Sequence, residues 1–397
     1  MATESTVMNE QTQTLLQKDT TITADNSSSP KPMDSNSSSA TTLVLSSHLK
    51  GVEAGSSAVV VITGSGSSSS DTKGNDIAGV EGQRTAPAKH CIGKSNKGVS
   101  WGFSLDQGRR STMEDRAVVQ PGFMKLCCKD VGGCRAPECE YAMEKSLVHY
   151  FGIFDGHGGD QVSNYCAKEL CGMVAEEWEG GSSLEGWNKR WEVALCKAYE
   201  RADNAFKDEA LAPKSVGSTA LVLIVSPCQI IAANCGDSRA VLCRGAQATP
   251  LTVDQKPDRA DESERITSSG GRILNWGCLR VEGILSMSRA IGDHDLKPWV
   301  ISVPEVTFTT RTKEDECLIL ASDGLWDVLS NDDVVKLARK ELKQRQRLAG
   351  ANKSSFPPAW HVSQHVIKQA LDAYSLDNIS VIVVDLKNPK LKPQEKP

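Results

Sequence analysis

The fold is first indicated by one stretch of sequence, Tyr150-Phe151-Gly152-Ile153-Phe154-Asp155-Gly156-His157-Gly158-Gly159. It opens with an apolar, aromatic-rich run that is typical of a buried strand. Asp155 stands where this strand ends, and Gly156 follows it directly. Because glycine carries no Cβ, backbone oxygens and solvent can approach the carboxylate closely, which suits a hard cation with oxygen ligands.

Other acidic residues also stand beside predicted strands or turns. Asp323, for example, follows the predicted strand Cys317 to Ala321 and precedes Gly324. A single Asp-Gly pair is more often a simple turn than a ligand. Several such positions together indicate a metal site, and oxygen donors favour Mg²⁺ or Mn²⁺ over Zn²⁺. The residues concerned are Glu114, Asp115, Asp155, Asp237, Asp323, Asp327 and Asp377.

Predicted helices and strands come in groups along the chain rather than in strict alternation. Apolar residues recur with helical spacing over Asp160 to Trp178, Glu185 to Phe206, Asp258 to Ser268, Asp332 to Arg347 and His361 to Tyr374. Short β-type runs joined by turns are predicted to form an antiparallel meander over Ala220 to Val225, Ile230 to Asn234 and Ala240 to Cys243, with a closing strand over Ile379 to Asp385. This grouping favours an α+β fold with antiparallel sheets over a doubly wound parallel sheet.

The beginning of the chain differs in composition from the rest. All 20 aromatic residues lie at or after Trp101, and 28 of the first 80 residues are Ser or Thr. Such a segment lacks the large apolar side chains that offset the entropy of chain ordering. We therefore expect residues 1–95 to be a disordered extension, residues 96–388 to be one folded domain, and residues 389–397 to be a flexible tail.

Composition excludes several classes of protein. No apolar run approaches the roughly 18 to 20 residues of a membrane helix, and the first residues lack the apolar core of a signal peptide. We therefore expect no membrane association, and a location in cytoplasm and nucleus. The net charge of −5 argues against nucleic-acid binding, which needs a basic face.

The cysteines and two phosphate-binding patterns test other kinds of site. We interpret the 13 cysteines as free thiols. Cys127, Cys128, Cys134 and Cys139 cluster in a Gly-containing loop, and we interpret them as loop thiols rather than as a metal site, because they lack Cys-x-x-Cys spacing. None of the cysteines has an Arg six positions later, so a thiolate phosphate-binding loop is absent. Ala88 stands where a Walker loop before Lys94 requires Gly, which argues against an ATPase.

Taken in order, seven motifs resemble those of the metal-dependent type 2C protein serine/threonine phosphatases. They are Arg110-Ser111-Thr112-Met113-Glu114-Asp115, Phe154-Asp155-Gly156-His157-Gly158-Gly159, Gly217-Ser218-Thr219-Ala220, Asn234-Cys235-Gly236-Asp237-Ser238-Arg239, Ser288-Arg289-Ala290-Ile291-Gly292-Asp293, Ala321-Ser322-Asp323-Gly324-Leu325-Trp326-Asp327 and Asp377-Asn378-Ile379-Ser380. The resemblance covers about residues 100–387. It implies that residues 96–388 form one catalytic domain, with two central antiparallel β-sheets flanked by α-helices in a four-layer αββα sandwich.

The resemblance also implies a mechanism. Two Mg²⁺ or Mn²⁺ ions would hold a bridging hydroxide that attacks the phosphorus of phosphoserine or phosphothreonine. By position, Asp155 would bridge both ions, Asp323 and Asp377 would complete one, and the Gly156 carbonyl with Glu114, through water, would complete the other. The remaining roles implied are Asp115 within the metal site, Asp237 and Asp327 at a weaker third ion or in structural turns, Arg110 as phosphate ligand and His157 as general acid.

Within the family, the closest likeness is to the plant group that acts as abscisic-acid co-receptors. It rests on Gly270-Gly271-Arg272-Ile273-Leu274-Asn275-Trp276, Leu296-Lys297-Pro298-Trp299-Val300 and Glu314-Asp315-Glu316-Cys317-Leu318-Ile319-Leu320. It implies a monomeric catalytic domain that dephosphorylates protein kinases as a negative regulator of abscisic acid signalling. Hormone-bound receptors would inhibit it by binding Trp276 and Arg280.

The sequence leaves three questions open. Trp276 could belong to a core cluster, but its position between Asn275 and Gly277 favours the exposed tip of a hairpin. The chain could also be a pseudophosphatase scaffold, which the complete acidic set argues against. A Mg²⁺-dependent phosphomonoesterase for small molecules is the third alternative, and an open metal site that reaches a phosphorylated loop would exclude it.

Overall fold

The computed structural model of the protein describes residues 91–94, 96, 98–136, 139, 143–180, 186–348 and 356–387. The predicted flexible tail, and the predicted disordered extension up to residue 90, lie outside the described residues. Cys91 and the 3-10 helix Ile92–Lys94 fall within the predicted extension, and Cys91 is buried against Cys139 and Cys228. Packing of the folded region therefore includes Cys91.

The described residues form the following strands and helices. The strands are β1 (Ser100–Asp106), β2 (Arg116–Leu126), β3 (Ser146–Phe154), β4 (Gly156–His157), β5 (Gly217–Ser218), β6 (Ala220–Val225), β7 (Gln229–Cys235), β8 (Arg239–Arg244), β9 (Gln247–Pro250), β10 (Ile273–Asn275), β11 (Leu279–Val281), β12 (Ile291–Gly292), β13 (Glu305–Thr310), β14 (Asp315–Ala321) and β15 (Ile379–Asp385). The helices are α1 (Cys128–Val131), α2 (Gln161–Gly180), α3 (Trp187–Ala205), α4 (Ala260–Ser268), α5 (Asp323–Trp326), α6 (Asn331–Leu348) and α7 (Pro358–Asp372), with a second 3-10 helix at His294–Leu296.

Two five-stranded sheets form the centre of the domain. One has the order β13-β7-β6-β3-β2 and the other β1-β15-β14-β8-β9. All strand pairs within them are antiparallel. The α+β prediction with antiparallel sheets is confirmed.

Strand β3 shows why both faces of each sheet are apolar. Side chains alternate along a strand, so Phe151 and Ile153 point into the core between the sheets, whereas Tyr150 and Phe154 pack on the opposite face. That opposite face is covered by α2 and α3, which bury Trp191 and Tyr199 against it. Both faces are therefore removed from water, and a near-continuous apolar run results.

The second sheet is covered in the same way. Helices α6 and α7 pack on its outer face, where Val334, Ala338 and Val366 meet Ile319 and Val381 of the sheet. Three buried clusters therefore separate four layers in the order helices, sheet, sheet, helices. The predicted four-layer αββα sandwich is confirmed.

The predicted meander is wrong in its third strand. β6 and β7 pair as expected, but β8 leaves them and pairs with β14 and β9 in the other sheet. Between β7 and β8 the chain buries Asp237 and Ser238 completely instead of making a hairpin turn. β8 is apolar on both faces, with Leu242 in the core between the sheets and Val241 under the helices, and a central strand supplies burial for both.

The predicted helices are present, with shifted ends. Pro358 occupies the first turn of α7, where its missing N–H costs no helical hydrogen bond, so the helix begins before His361. Tyr374 has φ of 65° and lies beyond the helix that was predicted to include it. Among the described helices, none is long and apolar enough to cross a membrane.

Candidate active site

The predicted acidic residues meet at one edge of the two sheets. Asp155 follows β3 and Asp115 precedes β2, and these two strands are paired so that Arg116 lies opposite Phe154. In the second sheet, Asp323 follows β14 and Asp377 precedes β15, and Ala321 lies opposite Val381. Asp237 lies where the chain crosses from one sheet to the other. Neighbouring antiparallel strands thus bring residues distant in sequence to a single edge.

Mutual repulsion marks this group of carboxylates. Loss of hydration, followed by the charges of Asp115, Asp323, Asp237 and Asp377, holds the pKa of Asp155 well above its usual range. Loss of hydration also raises the pKa of Asp115 to about 6, although Ser322 donates a 2.8 Å hydrogen bond to its Oδ2. Asp323 and Asp327 have raised pKa values for the same leading reason. Cations between the carboxylates would stabilise the charged form of such a set.

The donor atoms fit oxygen-ligated cations. Oδ1 of Asp115 and Oδ1 of Asp237 are buried and have no hydrogen-bond partner among the described residues. A Cβ added to Gly156 would lie 2.6 Å from the carbonyl oxygen of Glu114 and 2.8 Å from Ser163 Oγ. Only glycine therefore allows the backbone of residue 156 to pass this close to Glu114. Unpartnered carboxylate oxygens beside an accessible backbone suit Mg²⁺ or Mn²⁺.

Two basic side chains already contact these carboxylates. Lys256 forms a short ion pair with Asp237, and its Nζ lies 4.0 Å from Asp323. Arg110 forms a short ion pair with Asp377, and its side chain is 57% exposed. In the part of the chain that the structure describes, no three of these carboxylates bring ligand atoms within 4.8 Å of one another. The ammonium and the guanidinium thus neutralise carboxylates that remain spread apart.

Asn378 holds the loop that carries Arg110 and Glu114. Its side-chain amide donates to the carbonyls of Gln107 and Thr112, at 2.8 and 2.9 Å. Its Oδ1 accepts a 2.8 Å hydrogen bond from the backbone N–H of Glu114. The residue after Asp377 therefore fixes the position of Glu114 relative to Asp377.

His157 is oriented by Asp293. A small sheet of β12, β5 and β4 brings them together, and His157 Nε2 lies 2.8 Å from Asp293 Oδ2 and 3.0 Å from Oδ1. Burial alone would lower the pKa of His157, but the hydrogen bond and charge of Asp293 outweigh it and raise the pKa. Because Nε2 is held, Nδ1 is the nitrogen without a hydrogen-bond partner among the described residues.

Three residues of this site had no assigned role in the sequence interpretation. Asp293 and Asn378 stood inside quoted motifs, so their neighbourhood was a usable signal. No sequence signal marks Lys256, because it lies outside the quoted motifs. Its contact with Asp237 depends on the fold. Gln255 next to it is buried, and its Oε1 accepts a 2.6 Å hydrogen bond from the N–H of Gly236, which fixes the loop that carries Asp237.

Trp276 lies at the tip of the hairpin formed by β10 and β11. Its backbone N–H donates to the carbonyl of Cys278 at 3.0 Å, and its side chain is 72% exposed. Arg280 donates to the carbonyl of Ile284. Glu282 accepts hydrogen bonds from Arg272 at the base of the hairpin. The exposed hairpin tip is confirmed, and the core alternative for Trp276 is excluded.

Known proteins resemble the chain over this same region. Residues 101–379 match the family described as Protein phosphatase 2C. "Probable protein phosphatase 2C 6" of Oryza sativa subsp. japonica is 44% identical over 328 residues, which cover 77% of this chain and 69% of the relative. "Protein phosphatase 2C 56" of Arabidopsis thaliana is 42% identical over 313 residues, which cover 75% of this chain and 70% of the relative.

A solved structure supports the fold. A phosphatase from Toxoplasma gondii superimposes with a TM-score of 0.56 at 22% identity, over 74% of this chain and 94% of the other. At that identity, the likeness concerns the fold alone. The match over residues 101–379 and the identity to plant relatives establish the conclusion that the fold and the carboxylate cluster had indicated. The chain belongs to the protein phosphatase 2C family and is a serine/threonine protein phosphatase, a hydrolase.

Proposed function

We propose that this phosphatase removes phosphate from phosphoserine and phosphothreonine of proteins with two divalent cations bound at the carboxylate cluster. The observation that carries the proposal is the meeting of Asp115, Asp155, Asp237, Asp323 and Asp377, where burial and then mutual repulsion raise the pKa of Asp155 and favour bound cations. The family uses Mg²⁺ or Mn²⁺ in general. The number of ions and their ligands are the proposed part.

The proposed ligands of the two cations are the residues that the family resemblance implies. Asp155 would contact both cations, Asp323 and Asp377 one of them, and the Gly156 carbonyl with Glu114, through water, the other. A third cation at Asp237 and Asp327 would have to displace the ammonium of Lys256 from Asp237, which supports weaker binding there. When bound, the cations would activate water as nucleophile and neutralise charge on the phosphoryl group.

The chain's own residues would supply binding and proton transfer. Arg110 would turn from Asp377 to the phosphate, because the planar guanidinium fits two phosphate oxygens and its exposed side chain is free to rotate. His157 would donate a proton from Nδ1 to the leaving Ser or Thr oxygen, while Asp293 keeps Nε2 occupied. The raised pKa of His157 supports this role, since it keeps the imidazole protonated to a higher pH than an ordinary histidine.

A protein substrate is supported by the surface beside the site. An open groove of about 420 Å³ runs next to Lys256 and is lined also by Arg239, Val253 and Asn331. A groove open to solvent accepts a loop of another protein, whereas small ligands are usually enclosed. Phosphorylated protein kinases are the proposed substrates.

Phosphate release tests this proposal. A phosphothreonine peptide should be hydrolysed with Mn²⁺ or Mg²⁺, and EDTA should abolish the reaction until metal is restored. Free phosphothreonine and sugar phosphates should give a much lower kcat/KM than the peptide. A higher kcat/KM for the small monoesters would support the phosphomonoesterase instead, and metal-dependent peptide binding without phosphate release would support the scaffold.

We further propose that the Trp276 hairpin binds an abscisic-acid receptor in its hormone-bound state, and that the bound receptor covers the metal site. An exposed Trp on a short hairpin is the kind of side chain that dominates protein interfaces. The test is peptide hydrolysis with receptor and increasing hormone. Inhibition should require both, and unchanged activity at saturating hormone would contradict this role.

Location and assembly remain part of the proposal. We propose cytoplasm and nucleus, because Cys166, Cys171, Cys235 and Cys317 are free thiols, as is usual in reducing compartments. We also propose that the domain is monomeric. A fluorescent fusion of the full chain and light scattering of the purified protein would check these two points.

A further inference from the structure

Five cysteines meet at the end of the sandwich away from the carboxylates. Cys91 precedes the first 3-10 helix, Cys128 begins α1, Cys134 and Cys139 follow it, and Cys228 lies in the turn between β6 and β7. Cys228 Sγ lies 3.5 Å from Cys91 Sγ and 3.5 Å from Cys128 Sγ. Cys134 Sγ lies 3.5 Å from Cys91 Sγ. Three distant parts of the sequence thus bring thiols to one point.

The spacing of three of these sulfur atoms, those of Cys91, Cys128 and Cys228, fits one tetrahedral ion. Four thiolates around Zn²⁺ at about 2.3 Å would have sulfur atoms about 3.8 Å apart. The observed separations of 3.5 Å are close to this value, and Cys91, Cys128 and Cys228 all lie within 4.8 Å of one another. Cys134 lies within 4.8 Å of Cys91 and Cys139 in a second group, so its thiol would have to turn toward Cys128 and Cys228 to complete a set of four around the ion.

Space for the thiols is kept by Gly93. A Cβ at this position would lie 2.8 Å from Cys228 Sγ and 3.3 Å from Cys91 Sγ. Any other residue would therefore push into the cluster. The side chains of Cys128 and Cys134 are half-buried, so an ion can reach the thiols from solvent.

A positive charge lies beside the cluster. Arg311 is buried beside Cys228 and donates to the carbonyl of Ser226 at 3.0 Å, while its Nε has no hydrogen-bond partner among the described residues. The guanidinium of Arg311 stays protonated, as arginine does in proteins. A buried positive charge offsets part of the negative charge of several thiolates.

We propose that Cys91, Cys128, Cys134 and Cys228 bind one structural Zn²⁺ ion, with Cys139 adjacent to Cys91. Each ligating thiol gives its proton to solvent when the ion binds. Soft sulfur donors without oxygen ligands select Zn²⁺ over Mg²⁺ or Mn²⁺. Three thiols around one point, with a fourth 3.5 Å from Cys91 Sγ, suit an ion better than a disulfide, which joins two sulfurs at about 2.05 Å.

The site would join the chain before β1 to the loop after β2 and to the β6–β7 turn. β6 begins next to Asp155, through Thr219, and Cys228 follows its other end, so about 20 Å separate the thiols from the carboxylates. Zinc would therefore stabilise the fold without taking part in the hydrolysis. This inference does not depend on the proposed substrate or hormone role.

Metal analysis of the full-length chain tests it. Protein purified without a metal-affinity tag, from medium supplied with zinc, is treated briefly with EDTA and desalted. Zinc is then measured by elemental mass spectrometry, and again after release with a mercurial thiol reagent. We expect one zinc ion per chain, released in step with mercurial addition. Cys228→Ser and Cys134→Ser should lose the ion and melt at lower temperature, whereas Cys196→Ser, a half-buried thiol of α3, should keep it.

Other outcomes overturn the proposal. Folded wild-type protein without zinc would do so, as would zinc retained by Cys228→Ser. A disulfide among these cysteines in a non-reduced peptide map would replace zinc with thiol oxidation as the role of the cluster. If Cys228→Ser does not fold, two measurements still test whether the cluster binds metal: the zinc content of Cys134→Ser, and replacement of zinc by Co²⁺ in the wild type. Tetrahedral Co²⁺ bound to thiolates gives strong absorption bands, which a cluster without metal lacks.

Discussion

Asp293 shows how a single residue outside the carboxylate cluster can control the chemistry of the site. Its carboxylate holds Nε2 of His157 and, against the opposing effect of burial, raises the pKa of that imidazole. Its backbone has φ of 49°, in the left-handed region where Asp and Asn are tolerated. The position therefore requires both a particular backbone and a particular charge.

Asp293→Asn separates these two requirements, because Asn keeps the shape and accepts the backbone conformation. Without the negative charge, the pKa of His157 should fall, so the protonated imidazole is lost at lower pH. We expect kcat for a phosphothreonine peptide to drop about 10-fold or more, with the alkaline limb of the pH profile moved toward acid. Asp295→Asn, exposed on the following 3-10 helix, should change neither. An unchanged pH profile for Asp293→Asn would rule out this positioning role.

At this scale, sequence predicts the acidic residues better than their contacts. Asp115, Asp155, Asp323 and Asp377 each stand beside a recognisable strand or turn, so their place at one edge could be expected. The ion pairs of Lys256 with Asp237 and of Arg110 with Asp377 join residues whose distance is set by the fold. No local sequence pattern predicts such ion pairs.

Strand β3 contains a histidine, His149, which is unusual in a buried strand. His149 is only 9% exposed and packs beside Trp101, with ring centroids 5.9 Å apart. Burial, with a smaller effect from Arg311, lowers the pKa of His149 from 6.5 to about 4. The folded protein therefore binds fewer protons at this site than the unfolded chain does between pH 6.5 and about 4.

This gives a pH prediction with a definite sign. Above pH 6.5, His149 does not lower the free energy of unfolding. As the pH drops from 6.5 toward 4, its buried neutral state lowers that free energy by up to about 1.4 kcal/mol per pH unit. His149→Phe should remove that loss. Urea unfolding of both proteins at several pH values measures the difference, in which the other titrating groups cancel. Parallel pH curves for the two proteins would show that His149 is not held neutral by the fold.

The Trp276 hairpin is the element whose proposed use is most specific. Trp276→Ala should leave peptide hydrolysis nearly unchanged, because the side chain is exposed and supports no core. If it is an interface hot spot worth about 2 kcal/mol, inhibition by receptor and hormone should need about 30-fold more receptor. Met143→Ala, at another exposed apolar residue, is the matched control. Equal inhibition of both variants would exclude Trp276 from the interface.

Elements are predicted well where their pattern is local. The helices were found from apolar spacing, and the hairpin tip from Asn275 and Gly277. The sheet to which β8 belongs could not be predicted in this way, because the apolar run Ala240 to Cys243 would suit either sheet. Its place is decided by burial of both faces between β14 and β9, which is a property of the assembled sandwich.

For the whole molecule, the boundary of the domain can be tested by truncation. Deleting residues 1–90 should leave kcat and KM within a few-fold, because that segment supplies no proposed ligand and no aromatic residue. Deleting residues 1–95 also removes Cys91, which is buried against Cys228, so this shorter protein should melt at lower temperature. Loss of activity in a soluble protein lacking only residues 1–90 would show that the extension belongs to the catalytic domain.

At the scale of the molecule, the class of fold follows from grouped helices and strands, and the four layers from the family resemblance. The thiol cluster could not be foreseen in the same way. Cys128 and Cys134 are near in sequence, but Cys91 and Cys228 reach them only because the β6–β7 turn lies against the chain before β1. Sites built across the sandwich depend on topology, which spacing along the chain does not contain.

The central claim is that the carboxylate cluster holds the cations on which hydrolysis depends. The most direct test measures phosphate release from a phosphothreonine peptide by wild type and Asp155→Ala, with Mn²⁺, with EDTA, and with Mn²⁺ restored. The account predicts reversible metal dependence for the wild type and no turnover for Asp155→Ala, although circular dichroism shows it folded. Near-wild-type turnover by folded Asp155→Ala would contradict the account.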